Sequence, residues 1–189
     1  MGFMSPDVIC GNANLMIPDA TLYHFGVLES NVHMAWMRAV CGRLKSDYRY
    51  SKDVVYNNFV WPEVTDEQRQ RIEATAQGIL DARALYPDSS LADLYDEVTM
   101  PVELRRAHQN NDRAVMAAYG FPLSMTETDC VAALLDLYRR AIDPQLKNNQ
   151  TQPKNNVSTA KQPASAGCTN LVRGFTETPG CSRRRLPGA

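Results

Sequence analysis

Between residues 38 and 52 the chain sets five cations, Arg38, Arg43, Lys45, Arg49 and Lys52, against one acid, Asp47, with Tyr48 and Tyr50 among them. Guanidinium and ammonium groups donate to phosphate. Beside a carboxylate or an aromatic ring they can also address base edges, so this segment has the composition of a nucleic-acid-reading surface. By charge and position, Arg38 and Arg43 are expected to contact phosphate or to hold the last carbonyls of a preceding helix, and Lys52 to contact phosphate.

Other chemistries find less to work with. Cys10, Cys41, Cys130, Cys168 and Cys181 stand singly, without the spacing of a zinc site, and their odd number speaks against a secreted disulfide framework. Reduced thiols and a cytoplasmic location are the expectation. His24 and His33 have no acids or cysteines at ligand spacing, so packing or surface positions suit them better than metal, and His108 falls on an amphipathic helix. Asp93, Asp96, Glu97 and Glu103 read as solvated helix faces rather than as an acid-base pair. With no apolar run near the length of a membrane span and no secretory leader pattern, no membrane partner is expected.

Charge is unevenly placed. From Lys147 onward there are seven basic residues against Glu177 alone, a balance of +6, which leaves residues 1–146 with thirteen basic and twenty acidic side chains, or −7. An acidic body does not attract DNA nonspecifically, so the basic 38–52 segment has to be the contact face if DNA is bound.

Three textures position these residues, and together they predict an α+β chain. In residues 1–62, 22–28 read as a strand. A helix follows from an N-cap at Ser30, with Val32, Trp36, Ala39 and Val40 as its apolar stripe, and 48–56 read as extended. Residues 63–146 are helical. Thr65 and Gln68 form a capping box, 91–96 make a short turn, and Pro101 opens a helix that Gly120 stops. Ser124 or Thr126 starts another, with Val131, Leu134, Leu135 and Tyr138 apolar, and the set is expected to pack as a small antiparallel bundle. Trp36 and Trp61 are expected as core anchors. Residues 147–189 are rich in Asn, Gln, Thr, Ser and Pro with almost nothing to bury, and are expected to be disordered.

Several motifs carry a family resemblance. Tyr23-His24-Phe25-Gly26-Val27-Leu28, Met34-Ala35-Trp36-Met37-Arg38, Tyr48-Arg49-Tyr50-Ser51 and Tyr56-Asn57-Asn58-Phe59-Val60-Trp61-Pro62 resemble the MmeI-like family. So do Leu91-Ala92-Asp93-Leu94-Tyr95-Asp96 and Met100-Pro101-Val102-Glu103-Leu104-Arg105-Arg106-Ala107-His108. The family comprises large single-chain type II restriction-modification enzymes. The resemblance, over about residues 1–142, implies the end of a target recognition domain (1–62) followed by the helical C-terminal domain (63–146). The family's nuclease and its adenine methyltransferase, which uses S-adenosylmethionine, lie upstream and have no room here. The expectation is a non-catalytic fragment with no cofactor in this chain. Asn57-Asn58-Phe59 imitates the methyltransferase loop but lacks its two prolines, and is read as a structural turn.

The resemblance also assigns roles. The two positions at i and i+2 just before the Tyr-Arg-Tyr motif face one base pair of the target in the family, and here they are Lys45 and Asp47. On an extended segment, side chains two apart share a face. Lysine can donate to guanine O6 and N7, and aspartate can accept from cytosine N4, so a G·C pair with guanine nearest Lys45 is the expected target. The alternative is a plain surface ion pair between them. Arg49, Asn12 and Ala13 are the family's next positions for base contact. Asn12 can pair with a base edge or simply hold its own turn, while alanine only leaves room. Double-stranded DNA is thus the expected partner, with a separate methyltransferase or nuclease polypeptide as a second. The competing reading is an acidic helical interaction module that docks on such a polypeptide.

Overall fold

The computed structural model describes residues 1–11, 14–45, 47–149 and 170–173, with 144–149 and 170–173 described by backbone alone. In chain order the elements are β1 (Gly2–Met4), β2 (Leu15–Ile17), α1 (Leu22–Glu29), α2 (Asn31–Val40), β3 (Gly42–Leu44), β4 (Asp47–Arg49) and a π-helical turn (Lys52–Tyr56). They continue as α3 (Asp66–Ala84), the single turn α4 (Leu91–Leu94), α5 (Val102–Tyr119), α6 (Glu127–Asn149) and β5 (Asn170–Arg173). The α+β class expected from texture is what is observed.

Local signals set most helix ends. Thr65 Oγ1 accepts from Gln68 N at 3.3 Å while Gln68 Oε1 accepts from Thr65 N at 3.0 Å, the reciprocal box that opens α3. Pro101 precedes α5, and Gly120, at φ 70°, closes it in the left-handed conformation, with the amide of Phe121 donating back to Met116 O. Thr126 Oγ1 accepts from Asp129 N at the start of α6. Ser30 serves two helices at once: its hydroxyl donates to Val27 O at 2.6 Å and accepts from His33 N at 3.4 Å, so α1 and α2 meet at one residue.

Residues 22–28 form a helix, not the strand expected. Thr21 and His24 make its capping box, with His24 Nδ1 accepting from Thr21 N at 3.1 Å. Tyr23, Phe25, Gly26, Val27 and Leu28 are all buried. A helix covered on nearly every side carries no amphipathic period, and the β-prone residues then mislead. Gly26 permits the close fit: a Cβ there would stand 2.8 Å from Ile72 Cγ2 and 3.1 Å from Ala76 Cβ of α3.

The extended reading of 48–56 holds only as far as β4. Residues 52–56 wind into a π-helical turn that buries Val55, whose carbonyl accepts from Trp36 Nε1 at 3.0 Å. The Asn58 amide donates to the carbonyls of Asp53 and Val54 and its oxygen accepts from Tyr138 OH, so Asn57-Asn58-Phe59 is a structural turn as expected. Here burial of one valine and one tryptophan overrides strand propensity.

Two clusters make the core. One joins Val27, Trp36, Val55, Phe59, Ile72, Val115 and Leu134; the other joins Phe25, Leu28, Ala76, Ile79, Leu94 and Leu104. Both take side chains from either side of Pro62, because α1 packs on α3 and α2 packs on α6. Leu134 is buried, while Leu135, expected on the same stripe, is 42% exposed. A polar tie runs beside the second cluster: Arg83 pairs with Glu29 at 3.3 Å and donates to Tyr95 OH, which lies 2.6 Å from His108 Nε2. Burial alone would raise the Glu29 carboxyl, and the neighbouring amino terminus and Arg83 more than offset it, leaving it below the usual range.

The expected disordered stretch from 147 lies mostly outside the described residues. Two parts of it are ordered: α6 continues to Asn149, and β5 pairs with β1 and β2. Composition averages over a whole tail, whereas pairing needs only four residues and two open strand edges.

Candidate nucleic-acid interface

The basic segment folds back on itself as a hairpin. β3 and β4 are antiparallel, with Gly42 opposite Arg49, Arg43 opposite Tyr48 and Leu44 opposite Asp47. Opposed residues share a face, so Leu44, Asp47 and Arg49 project on one side and Arg43 and Tyr48 on the other. The first side is open: Leu44, Asp47 and Arg49 are all exposed. The second is braced. The Arg43 guanidinium lies 4.2 Å from the centre of the Tyr48 ring and donates to Tyr48 OH at 2.9 Å, and Tyr48, half-buried, packs on the first core cluster.

Lys45 is exposed at the reversal, at φ 58°. This corrects the derivation from strand pleating, since Lys45 and Asp47 do not lie along one extended segment. Because Leu44 pairs with Asp47, the chain reverses directly after Leu44, and Lys45 takes up the positive φ with which that reversal begins. The face-mate of Asp47 on its own strand is Arg49. Positive φ costs a side-chain-bearing residue about 1 to 2 kcal/mol relative to glycine, so the backbone itself has no use for a lysine here. Among the described residues no ion pair joins Lys45 to Asp47.

The remaining site residues are dispersed. Arg38, in the last turn of α2, makes a two-pronged pair with Glu127 of α6, Nε to Oε1 at 2.7 Å and Nη2 to Oε2 at 2.8 Å. That hydrogen bond is the main reason the Glu127 carboxyl sits below the usual range. Arg38 thus joins α2 to α6 rather than the hairpin cluster. Lys52 is exposed, 3.6 Å from the Asp53 carboxylate. Asn12 and Ala13 lie outside the described residues.

Two supports were not legible in the sequence. His33 is fully buried, with Nε2 3.1 Å from Tyr50 OH and its ring edge-on to Phe59 at 4.5 Å, so it fixes the exit of the hairpin to the core. Glu127 holds Arg38 from 89 positions away. The sequence left His33 between packing and a surface position, a weak signal for its burial against Tyr50 and Phe59. Glu127 gave none. Among the described residues no group of three His, Cys, Asp or Glu could hold a metal ion, and no helix is long and apolar enough to cross a membrane. Cys10 and Cys130 are free thiols.

Residues 1–63 match the family described as "MmeI, target recognition domain", and residues 64–146 match "MmeI, C-terminal domain". DNA methyltransferase A of Bacillus subtilis (strain 168) is 40% identical over 139 residues, which is 74% of this chain and 16% of that protein. A solved structure of the Type IIL restriction-modification enzyme MmeI in complex with DNA is 48% identical, with a TM-score of 0.62 over 64% of this chain and 16% of that one. The chain therefore spans about a sixth of the length of each relative.

Proposed function

This chain belongs to the MmeI family as a target recognition domain joined to a C-terminal domain, and from that membership we propose that it reads a DNA sequence for a restriction-modification methyltransferase. Supporting this is an exposed hairpin, within the part matching a target recognition domain, that carries Lys45 at its tip and Asp47 and Arg49 on its open face. Lys45 and Asp47 read one G·C pair, the ammonium donating to guanine O6 or N7 and the carboxylate accepting from cytosine N4. Arg49 addresses the neighbouring pair, with Asn12 and Ala13 as further base contacts. Arg43 and Lys52 supply phosphate contact beside them. Arg38, engaged by Glu127, steadies the helix that leads into the hairpin. Catalysis belongs to the methyltransferase and nuclease parts of such systems, with S-adenosylmethionine bound there.

The test is fluorescence anisotropy with a pool of duplexes randomised over eight base pairs, sequenced after selection on the protein. One position is expected to be fixed as G·C by Lys45 and Asp47, beside those read by Arg49 and Asn12. Replacing that pair weakens binding by about 1 to 3 kcal/mol. Exchanging the two side chains, Lys45→Asp with Asp47→Lys, inverts the preference to C·G. Lys52→Ala weakens all duplexes alike and reduces the salt slope by about one. Salt-independent retention, or an unchanged base preference in the exchanged variant, refutes the reading. Tight capture of a methyltransferase polypeptide with no DNA retention supports the helical interaction module instead.

A further inference from the structure

The three-stranded sheet has an arrangement that chain order alone would not suggest. β1 and β2 do not pair with each other: each pairs with β5, in the order β1-β5-β2. Leu171 stands between Phe3 and Ile17, and Val172 between Gly2 and Met16, both ladders antiparallel. With one strand between them, β1 and β2 are separated by two strand spacings, about 9 to 10 Å. The outer strands are held from behind by the helical body, since Phe3 and Ile17 pack on the second core cluster and the Phe3 ring lies 5.7 Å from that of Phe25. Their inward N–H and C=O groups face the gap, and only an extended backbone can satisfy both rows at once.

We infer that residues 2–4 and 15–17 form a slot that accepts one β-strand, and that Asn170–Arg173 of this same chain is its occupant. Leu171-Val172 is the only adjacent pair of large aliphatic residues after Lys147, so the tail has one segment suited to a strand. Twenty residues separate Asn149 from Asn170. Such a stretch spans up to about 70 Å when extended, ample to cross the fold. Tethering keeps the segment at an effective concentration of about a millimolar, so four residues of ladder suffice in cis where the same strand, free at micromolar concentration, would not bind. The tail is therefore a donor strand that closes two exposed edges of the recognition domain. This inference is independent of which bases the hairpin reads.

The test is hydrogen exchange on the full chain and on a variant carrying Leu171→Pro and Val172→Pro. Successive amides of a central strand point to opposite neighbours, so two adjacent prolines remove a donor from each ladder. Amides in 2–4 and 15–17 are expected to exchange at least about tenfold faster in the variant, while α3 and α5 keep their protection. A synthetic peptide of residues 167–176 with Cys168→Ser, added at about 1 mM to match the tethered concentration, is expected to slow them again. Equal exchange in the two proteins overturns the inference. So does fast exchange in the variant that the peptide leaves unchanged.

Discussion

Asn111, fully buried on α5, offers the sharpest test of how the helices are locked together. Gly26 is one of the last four residues of α1, whose carbonyls have no partner within the helix. Asn111 Nδ2 donates to that carbonyl at 2.7 Å, and Asn111 Oδ1 accepts from Thr75 Oγ1 of α3 at 3.2 Å. One amide therefore satisfies groups on two other helices. Asn111→Ala leaves the Gly26 carbonyl buried without a donor, at a cost of about 1 to 3 kcal/mol. Thr75 suffers less, because its hydroxyl also reaches the carbonyls of Arg71 and Ile72. With the small void added, the expected loss is about 2 to 4 kcal/mol. For a chain of this size that lowers the melting temperature by roughly 4 to 16 °C. Asn111→Asp is expected to be worse than alanine at pH 7, because a carboxylate then faces a carbonyl with no proton to donate. It recovers part of the difference as the pH falls and the acid protonates. Urea unfolding at constant m-value measures both variants. A loss below about 0.5 kcal/mol in the alanine variant, or an aspartate variant as stable as wild type at pH 7, refutes the reasoning.

Three further outcomes follow from the geometry. Phe59 meets His33, Trp36, Trp61 and Tyr119 edge-on or tilted, so Phe59→Ala is expected to cost about 3 to 5 kcal/mol by urea unfolding, with Phe59→Leu well below that. Burial is the main cause that lowers the pKa values of both His24 and His108 from the usual 6.5. Their contribution is complete above pH 6.5 and is lost as the pH falls through the lower folded values. His24→Gln keeps a capping box with a side chain that does not titrate, so stability measured between pH 7 and 5 is expected to fall less steeply in that variant; an unchanged slope counts against the assignment. Arg38→Ala, Glu127→Ala and the double variant form a cycle whose coupling is expected at about 0.5 to 1 kcal/mol and to shrink in high salt, because the two side chains are 35% and 53% exposed.

What the sequence determined on its own is what neighbours within a few positions can settle. Thr65 with Gln68 and Ser30 ahead of α2 complete their hydrogen bonds inside one turn, and Gly120 returns its amide to the last turn of α5, so the residues name the boundary. The basic, tyrosine-bearing segment was equally legible, because charged side chains in such number are rarely buried, and Lys45, Asp47 and Arg49 are indeed exposed. Tertiary structure decided the rest. Residues 22–28 became a helix because α3 and α5 enclose them; 52–56 wound into a π-helical turn to bury Val55 under Trp36. Arg38 turned to Glu127, 89 residues on, and the tail contributed a strand to two edges near the start of the chain. Each of these depends on a partner distant in sequence, and local propensities, worth a few tenths of a kcal/mol to about 1 per residue, yield to the burial and backbone pairing that such partners provide.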